Sequence, residues 1–233
     1  MTTMQGRTAV VTGASSGIGR ATANRLAQAG ANVALMALGD EHLDETREEV
    51  AAHGAHVRSY PVDVSKSEEV IGAFEAASEL GAIDAVFNNA GISVIGPITD
   101  FSDSDWNRLV QTNLSGNFFV NRQAARLMIA GDGGAIVNTA SELAPHKIRV
   151  NAVCPGSTMT PQFQAELDRS PDPTRELADN EETIALRRIG QPHEIANVVE
   201  FLLSDRASYV TGTHFIVDGG RTGCFPSLRP ITD

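Results

Sequence analysis

The feature that most constrains this chain is a glycine-rich turn close to its N-terminus. Residues 12–19 read Thr-Gly-Ala-Ser-Ser-Gly-Ile-Gly and directly follow the β-rich run Thr8–Val11. This pattern predicts a strand that enters a tight turn and a helix that leaves it at about Ser16. A helix start offers unpaired N–H groups and a positive dipole end, and glycines let a ligand approach the backbone closely. The turn therefore predicts a site for the pyrophosphate of a dinucleotide.

Length, charge and cysteine content narrow the class of protein. A chain of 233 residues is long enough for one α/β domain, and we expect a single domain over residues 1–233. The net charge of −11 argues against a nucleic-acid partner. We find no signal peptide, no membrane-length apolar run, no disulfide framework and no metal-ligand spacing of the histidines. We therefore expect a cytoplasmic protein with no membrane partner and no metal.

Strand-like and helix-like patterns alternate along the whole chain. Strands are predicted over Arg7–Thr12, Ala31–Leu38, His56–Val62, Ala85–Asn88, Gly134–Thr139, Ile148–Val153 and Thr213–Val217. Helices are predicted over Gly17–Ala29, Asp40–Ala52, Ser65–Glu79 with Ser65 as N-cap, Asp103–Ala130 and Pro192–Leu203. This alternation predicts a Rossmann-type, doubly wound parallel sheet. The acidic, proline-containing stretch 159–188 lies where a substrate lid could be.

One connection breaks the alternation. Only eight residues separate Thr139 from Ile148, and they include Pro145. Because parallel neighbours need a crossover of a dozen or more residues, a crossover helix is missing between the fifth and sixth strands. We expect a strained link, a displaced sixth strand or, as the favoured outcome, a break in the chain.

Loss of that helix should also uncover apolar surface. On the sheet we expect Ile136 and Val150 to be exposed. On the long helix we expect an open face formed by Leu109, Val110, Phe118 and Val120. Such a face favours association.

Further motifs lie at or just beyond predicted strand ends, apart from one on the long helix. They are Asp63-Val64, Asn88-Asn89-Ala90-Gly91, Thr112–Gly116 on the long helix, Ser141, Pro155-Gly156 and Asp218-Gly219-Gly220. With the glycine turn, they resemble the short-chain dehydrogenase/reductase family over nearly the whole chain. The resemblance implies strand order 3-2-1-4-5-6-7, a homodimer or homotetramer, and NAD or NADP as cofactor. It also implies hydride transfer between the nicotinamide and an alcohol or ketone.

The resemblance assigns cofactor-binding roles residue by residue. For the pyrophosphate turn these are Gly13, Ser15, Ser16, Gly17, Ile18 and Gly19. For the adenine and its ribose they are Asp63, Val64, Asn89, Ala90 and Gly91. For the nicotinamide they are Pro155, Gly156, Thr158 and Thr160.

The reaction centre implied by the resemblance is only partly present. Asn113 and Ser141 match its asparagine and serine. A Tyr-x-x-x-Lys element should begin thirteen residues after Ser141, where Cys154 stands. The two tyrosines of the chain, Tyr60 and Tyr209, are not followed by lysine four residues later.

Three interpretations therefore stay open. The chain is an active oxidoreductase, a dinucleotide-binding scaffold with impaired chemistry, or a protein whose native form contains a Tyr–Lys segment that this sequence lacks. His146 beside Lys147 could supply a proton and a cation, but we interpret them as the loop before the sixth strand.

The choice of cofactor depends on the end of the second strand. NAD binders usually carry Asp or Glu there and NADP binders often carry Arg, whereas this chain has Ala37 and Leu38. Without an acid to repel a 2′-phosphate, the sequence leans towards NADP. The substrate is expected to be a small or medium alcohol or ketone.

Overall fold

The computed structural model describes residues 3–39, 41–94, 96–137 and 147–223. Its seven parallel strands form one sheet in the order β3-β2-β1-β4-β5-β6-β7, which confirms the predicted topology. The strands are β1 Thr8–Thr12, β2 Asn32–Ala37, β3 Val57–Pro61, β4 Ile83–Phe87, β5 Gly134–Val137, β6 Ile148–Pro155 and β7 His214–Val217.

Helices cover both faces of the sheet. They are α1 Gly17–Gln28, α2 Glu41–Ala51, α3 Ser67–Ala77, α4 Asp103–Leu109, α5 Asn117–Ala130, α6 Pro161–Leu167, α7 Pro173–Glu182 and α8 Pro192–Leu203. One buried apolar cluster packs α1 and α8 against the sheet, with Leu26 and Leu202 fully buried. A second packs α3 and α5 against the other face, with Phe74 and Val120 fully buried. In the part of the chain that the structure describes, no helix is both long and apolar enough to cross a membrane.

The predicted long helix is present and contains a π-helical segment in its middle. Residues Val110–Gly116 form π-helical turns between α4 and α5. Gly116 packs so closely on the segment after β3 that a Cβ there would lie 2.9 Å from Cγ2 of Val64. The prediction of a long helix over Asp103–Ala130 is confirmed, since α4, the π-helical turns and α5 follow one another without a break. The wider turn in its middle accompanies this tertiary contact and that of Asn113, described below.

The start of α3 also differs from the prediction. Lys66 is its N-cap, and the Ser65 hydroxyl donates to Oδ1 of Asp63 at 2.7 Å. Ser65 is therefore part of the turn after β3, where its hydroxyl has a stronger partner in a carboxylate than in a helix N–H. The prediction of Ser65 as N-cap was wrong.

The junction of β5 and β6 resolves part of the expected anomaly. The two strands pair in parallel from Gly134 opposite Ile148 to Val137 opposite Asn151, which excludes the displaced sixth strand, one of the three expected outcomes. The strained link and the chain break concern residues 138–146, which lie outside the described residues.

The expected exposure of the sheet at this junction was wrong as well. Ile136 and Val150 are 1% and 4% exposed and pack in the cluster that includes Val120, Ala124 and Met128 of α5. Because α5 covers this part of the sheet, Val120 belongs to the core and not to an open face. The exposed apolar side chains of the π-helical segment and α5 are Leu114, Phe118 and Ile129.

Candidate functional site

The glycine turn has a backbone that only glycine accommodates at three positions. Gly13 and Gly17 have φ of +64° and +54°, in the left-handed region. A Cβ at Gly13 would lie 2.9 Å from Nδ2 of Asn89, and one at Gly19 would lie 2.0 Å from the carbonyl oxygen of Gly13. The turn is therefore compact, and no side chain covers its backbone at the three glycine positions.

The start of α1 is open towards a ligand. Its N-cap, Ser16, makes no side-chain cap hydrogen bond, and the first turn carries no acidic residue. The first N–H groups of a helix have no partner within the helix, and the positive end of the dipole adds to their attraction for anions. These residues fit a pyrophosphate group.

The segment after β4 is fixed against the turn by Thr12. The fully buried Thr12 hydroxyl oxygen accepts hydrogen bonds from the backbone N–H groups of Asn89 and Ala90 at 2.9 and 3.0 Å. The Asn89 amide in turn donates to the Thr12 carbonyl oxygen at 3.1 Å. Sequence reasoning did not single out Thr12, although a threonine that ends an apolar strand just before the first glycine was a usable signal.

On one side of the turn lies a cavity of about 530 Å³, here called the loop cavity. Eight predicted cofactor-binding residues line it: Gly13, Ser15, Ser16, Asp63, Val64, Asn89, Ala90 and Gly91. Ala37 and Leu38, at the end of β2, also line it, as does Arg108. The structure thus brings together residues from the ends of β1, β2, β3 and β4.

Asp63 presents a fixed, ionised carboxylate to the loop cavity. Its Oδ1 accepts from the hydroxyl and the backbone N–H of Ser65 at 2.7 and 3.0 Å, and Lys66 lies 3.7 Å from Oδ2. The Ser65 hydroxyl is the main cause that lowers the pKa of Asp63 below its ordinary value. A carboxylate of this kind can accept hydrogen bonds from a bound adenosine.

Asn113, predicted as part of the reaction centre, lies in the π-helical segment. Its Oδ1 accepts from the N–H of Ile92 at 2.9 Å, and its Nδ2 donates to the carbonyl oxygen of Ile92 at 2.8 Å. Both ends of the amide therefore hold the segment after Gly91 against the helix. Ser141, the second predicted catalytic residue, lies outside the described residues.

A second cavity, of about 520 Å³, lies beneath α6 and α7 and is here called the lid cavity. The predicted residues Ile18, Gly156, Thr158 and Thr160 line it, together with residues that sequence reasoning missed: Ser157, Gln162, Phe163, Glu166, Leu167, Glu176, Asn180 and Arg221. The stretch 159–188, predicted as a possible lid, contains the two helices that line this cavity. Pro155 lies outside both cavities.

The lid helix α6 bridges the two sides of the cleft. A Cβ at Gly17 would lie 3.2 Å from Cγ2 of Thr160, at the N-cap of α6. The Gln162 amide donates to the Ser93 hydroxyl at 2.6 Å, in the segment that follows β4. The glycine turn therefore lies between the loop cavity and the lid cavity.

Neither tyrosine of the chain is placed for proton transfer in this cleft. The Tyr60 hydroxyl donates to the carbonyl oxygen of Ala76 at 3.1 Å, and burial raises its pKa. A tyrosine that exchanges protons near neutral pH needs the opposite shift. Tyr209 is fully exposed in the turn before β7. Within residues 3–39, 41–94, 96–137 and 147–223, no group of three His, Cys, Asp or Glu residues could hold a metal ion.

An open parallel sheet with a glycine turn at the carboxyl end of its first strand defines an α/β protein of the nucleotide-binding type. A family model described as short chain dehydrogenase matches residues 7–144, and one described as Enoyl-(Acyl carrier protein) reductase matches residues 138–222. The chain belongs to the short-chain dehydrogenase/reductase family, whose members are NAD(P)-dependent oxidoreductases.

Named relatives agree with this assignment. The chain is 34% identical to a cyclohexanol dehydrogenase of an Acinetobacter species, over 93% of this chain and 95% of that protein. Among solved structures, levodione reductase superposes with a TM-score of 0.90 at 31% identity, over 95% of this chain and all of that one. An NAD⁺-bound xylitol dehydrogenase gives a TM-score of 0.87 at 32% identity, over 93% of this chain and 99% of that one.

The alignment with the cyclohexanol dehydrogenase also measures a difference in length. It spans 247 positions, whereas 93% of this 233-residue chain is about 217 residues. About 30 positions of the relative therefore have no counterpart in this chain.

Proposed function

We propose that this chain binds one NAD or NADP molecule across the glycine turn and acts as an oxidoreductase on an alcohol or ketone. The supporting observation is the position of the uncapped start of α1 between two cavities of similar size. Ser16 lines the loop cavity and Ile18 lines the lid cavity. A dinucleotide has the matching form, with two nucleosides joined by a pyrophosphate.

Each half of the cofactor has a proposed set of partners. Asp63 and Val64 flank the adenine, and Asn89, Ala90 and Gly91 lie under its ribose. The N–H groups at the start of α1 hold the pyrophosphate. Pro155, Gly156, Thr158 and Thr160 position the nicotinamide, whose ring carries the hydride.

The proposed reaction centre contains fewer groups than the chemistry needs. Ser141 is proposed to hydrogen-bond the substrate oxygen. Asn113 is proposed to hold the segment that contains Ile92 and to position a water molecule beside that segment. No tyrosine is available to give or take the hydroxyl proton, and loss of a positioned acid or base slows such reactions by ~10²–10⁴-fold. Turnover by the chain of this sequence should therefore be slow.

The second candidate function is a dinucleotide-binding scaffold with impaired chemistry. Two observations favour it. The two family models meet at residues 138–144, and about 30 positions of a relative have no counterpart here. Both are what loss of a segment between Ser141 and Glu142 would produce.

NADP is the proposed cofactor of the two. Ala37 and Leu38 provide no carboxylate to accept a bond from a ribose 2′-OH or to repel a 2′-phosphate. Leu38 is 64% exposed and lines the loop cavity, as does the guanidinium-bearing Arg108. The chain is further proposed to be one cytoplasmic domain that forms a homodimer or homotetramer and acts on a small molecule.

The test begins with intact mass and then combines binding and turnover on one sample. Protein of verified 24.7 kDa is titrated with NADPH and NADH by nicotinamide fluorescence, then assayed with cyclohexanol and xylitol as trial substrates. We expect saturable binding of NADPH with turnover at least 100-fold below that of the cyclohexanol dehydrogenase measured alongside. Binding with ordinary turnover would favour the active enzyme over the scaffold. A measured mass that exceeds 24.7 kDa by the mass of about 30 residues would reveal a segment that this sequence lacks.

A further inference from the structure

Among the described residues, the β7 edge of the sheet is covered on one face only. Phe215 and Val217 of β7 pack against the apolar cluster of α1 and α8. The alternate residues, His214 and Ile216, point to the opposite face, where Ile216 is 61% exposed. The strands of a parallel sheet are normally covered on both faces. Within the described residues, this edge therefore presents apolar surface without the usual second layer.

The uncovered face continues onto β6. Cys154 pairs with Ile216 in the parallel register and is itself exposed. Between the two strands and the turn after β7 lies a groove of about 420 Å³, here called the β6–β7 groove. Its lining includes Cys154, Pro155, Gly156, Ile216, Asp218 and Thr222.

The described chain ends at the border of this groove. The hydroxyl and the backbone N–H of Thr222 donate to Oδ2 of Asp218 at 2.6 and 2.8 Å, which fixes the chain direction just before Gly223. The ten residues 224–233, here called the tail, lie outside the described residues and follow directly. Ten residues can span up to ~33 Å, whereas the four residues of β7 span ~13 Å. The tail is long enough to run the whole length of the groove.

The tail sequence, Cys-Phe-Pro-Ser-Leu-Arg-Pro-Ile-Thr-Asp, carries an apolar residue at every third position. These are Phe225, Leu228 and Ile231, and the prolines at 226 and 230 favour a polyproline II conformation. Because that helix has three residues per turn, the three apolar side chains would share one face. That pattern matches a segment with one side against an apolar surface.

We propose that the tail lies in the β6–β7 groove and buries Phe225, Leu228 and Ile231 against Cys154 and Ile216. The groove is thus an intramolecular docking site for the chain's own C-terminus. The groove borders the proposed nicotinamide site at Pro155 and Gly156, but Cys154 and Ile216 line neither the loop cavity nor the lid cavity.

Cys154 reports occupancy of the groove directly. In a Cys224→Ser background it is the only cysteine of the chain, and its rate of reaction with an aromatic disulfide reagent measures its accessibility. We expect the rate to rise at least tenfold when the chain ends after Gly223. We expect the same rise in the full-length variant F225S/L228S/I231S, and no change in the matched control Arg229→Ala. Equal rates in the full and shortened chains would overturn the proposal.

Two further measurements keep the test decisive. Circular dichroism verifies that each variant is folded, and the full-length triple substitution replaces the shortened chain if that one fails to fold. A peptide of residues 224–233 with serine at 224 should slow the reaction of Cys154 when it is added to the shortened chain or, if that chain does not fold, to the triple variant. Protection that grows with protein concentration would mean that a second copy covers the groove, which also overturns the proposal.

Discussion

Gly19 packs against Gly13 so closely that a Cβ on residue 19 would lie 2.0 Å from the carbonyl oxygen of residue 13. The contact joins the first turn of α1 to the end of β1. It keeps the uncapped start of the helix next to the two cavities, which is the relation on which the proposed dinucleotide site depends.

Substitution of Gly19 by alanine should therefore disrupt the site. The alanine Cβ would clash with the carbonyl oxygen of Gly13 unless the turn moves. Overpacking of this kind costs ~1–3 kcal/mol of stability. We expect a lower urea midpoint of unfolding and at least tenfold weaker NADPH binding. The matched control is Gly72→Ala in α3, where an added Cβ meets nothing within 4 Å. It should be neutral or stabilise by up to ~1 kcal/mol, and equal effects of the two substitutions would contradict the account.

Thr12→Val should weaken cofactor binding while it preserves the shape of the side chain. It removes the oxygen that accepts from the N–H groups of Asn89 and Ala90, and an unsatisfied buried donor costs ~1–3 kcal/mol. The control is Thr22→Val in α1, since the buried Thr22 hydroxyl has no partner among the described residues. Calorimetric titration and urea unfolding should show a loss for Thr12→Val only. A loss of similar size in Thr22→Val would refute the assignment.

The topology of the sheet and the lining of the loop cavity could be predicted, because both follow from local sequence patterns. Alternating strands and helices define the parallel order, and the motifs after β1, β3 and β4 meet in the loop cavity. The π-helical segment could not be predicted, because the contacts of Gly116 and Asn113 with distant residues accompany it. An uncovered face of the sheet was predicted at Ile136 and Val150, but in the described part of the chain it lies at Ile216. The reach of α5 across the sheet was not evident in the sequence.

Stability should depend on the ionisation of Glu194 at the start of α8. Its carboxylate accepts from Arg188 at 2.6 and 2.8 Å and from the Gln191 N–H, and these bonds, Arg188 first, lower its pKa from 4.5 to about 2. A lowered pKa in the folded state contributes stability above about pH 4.5, and that contribution falls as pH drops towards 2. Glu194→Gln should lower the urea midpoint at pH 7, with a gap to the parent that narrows below pH 4.5. A gap for Glu194→Gln that does not change with pH would count against this assignment.

The exposed apolar side chains of the π-helical segment and α5 should promote association. Leu114 and Phe118 are 68% and 57% exposed and lie one turn apart. We expect Leu114→Gln combined with Phe118→Gln to reduce concentration-dependent association in light scattering without a loss of secondary structure. The control is Leu186→Gln, a similarly exposed leucine that lies between α7 and α8. A monodisperse tetramer that the double substitution leaves unchanged would argue against association through this face.

The most direct test of the central claim compares a whole dinucleotide with its two halves. The claim is that one NADP molecule occupies both the loop cavity and the lid cavity, with its pyrophosphate at the start of α1. Calorimetric titration with NADP⁺, with adenosine 2′,5′-bisphosphate and with nicotinamide mononucleotide gives each affinity on the same sample. The account predicts one NADP⁺ per chain, bound more tightly than either half. An affinity for NADP⁺ no greater than that of the adenosine half, or no binding of NADP⁺ or NAD⁺ at millimolar concentration, would contradict it.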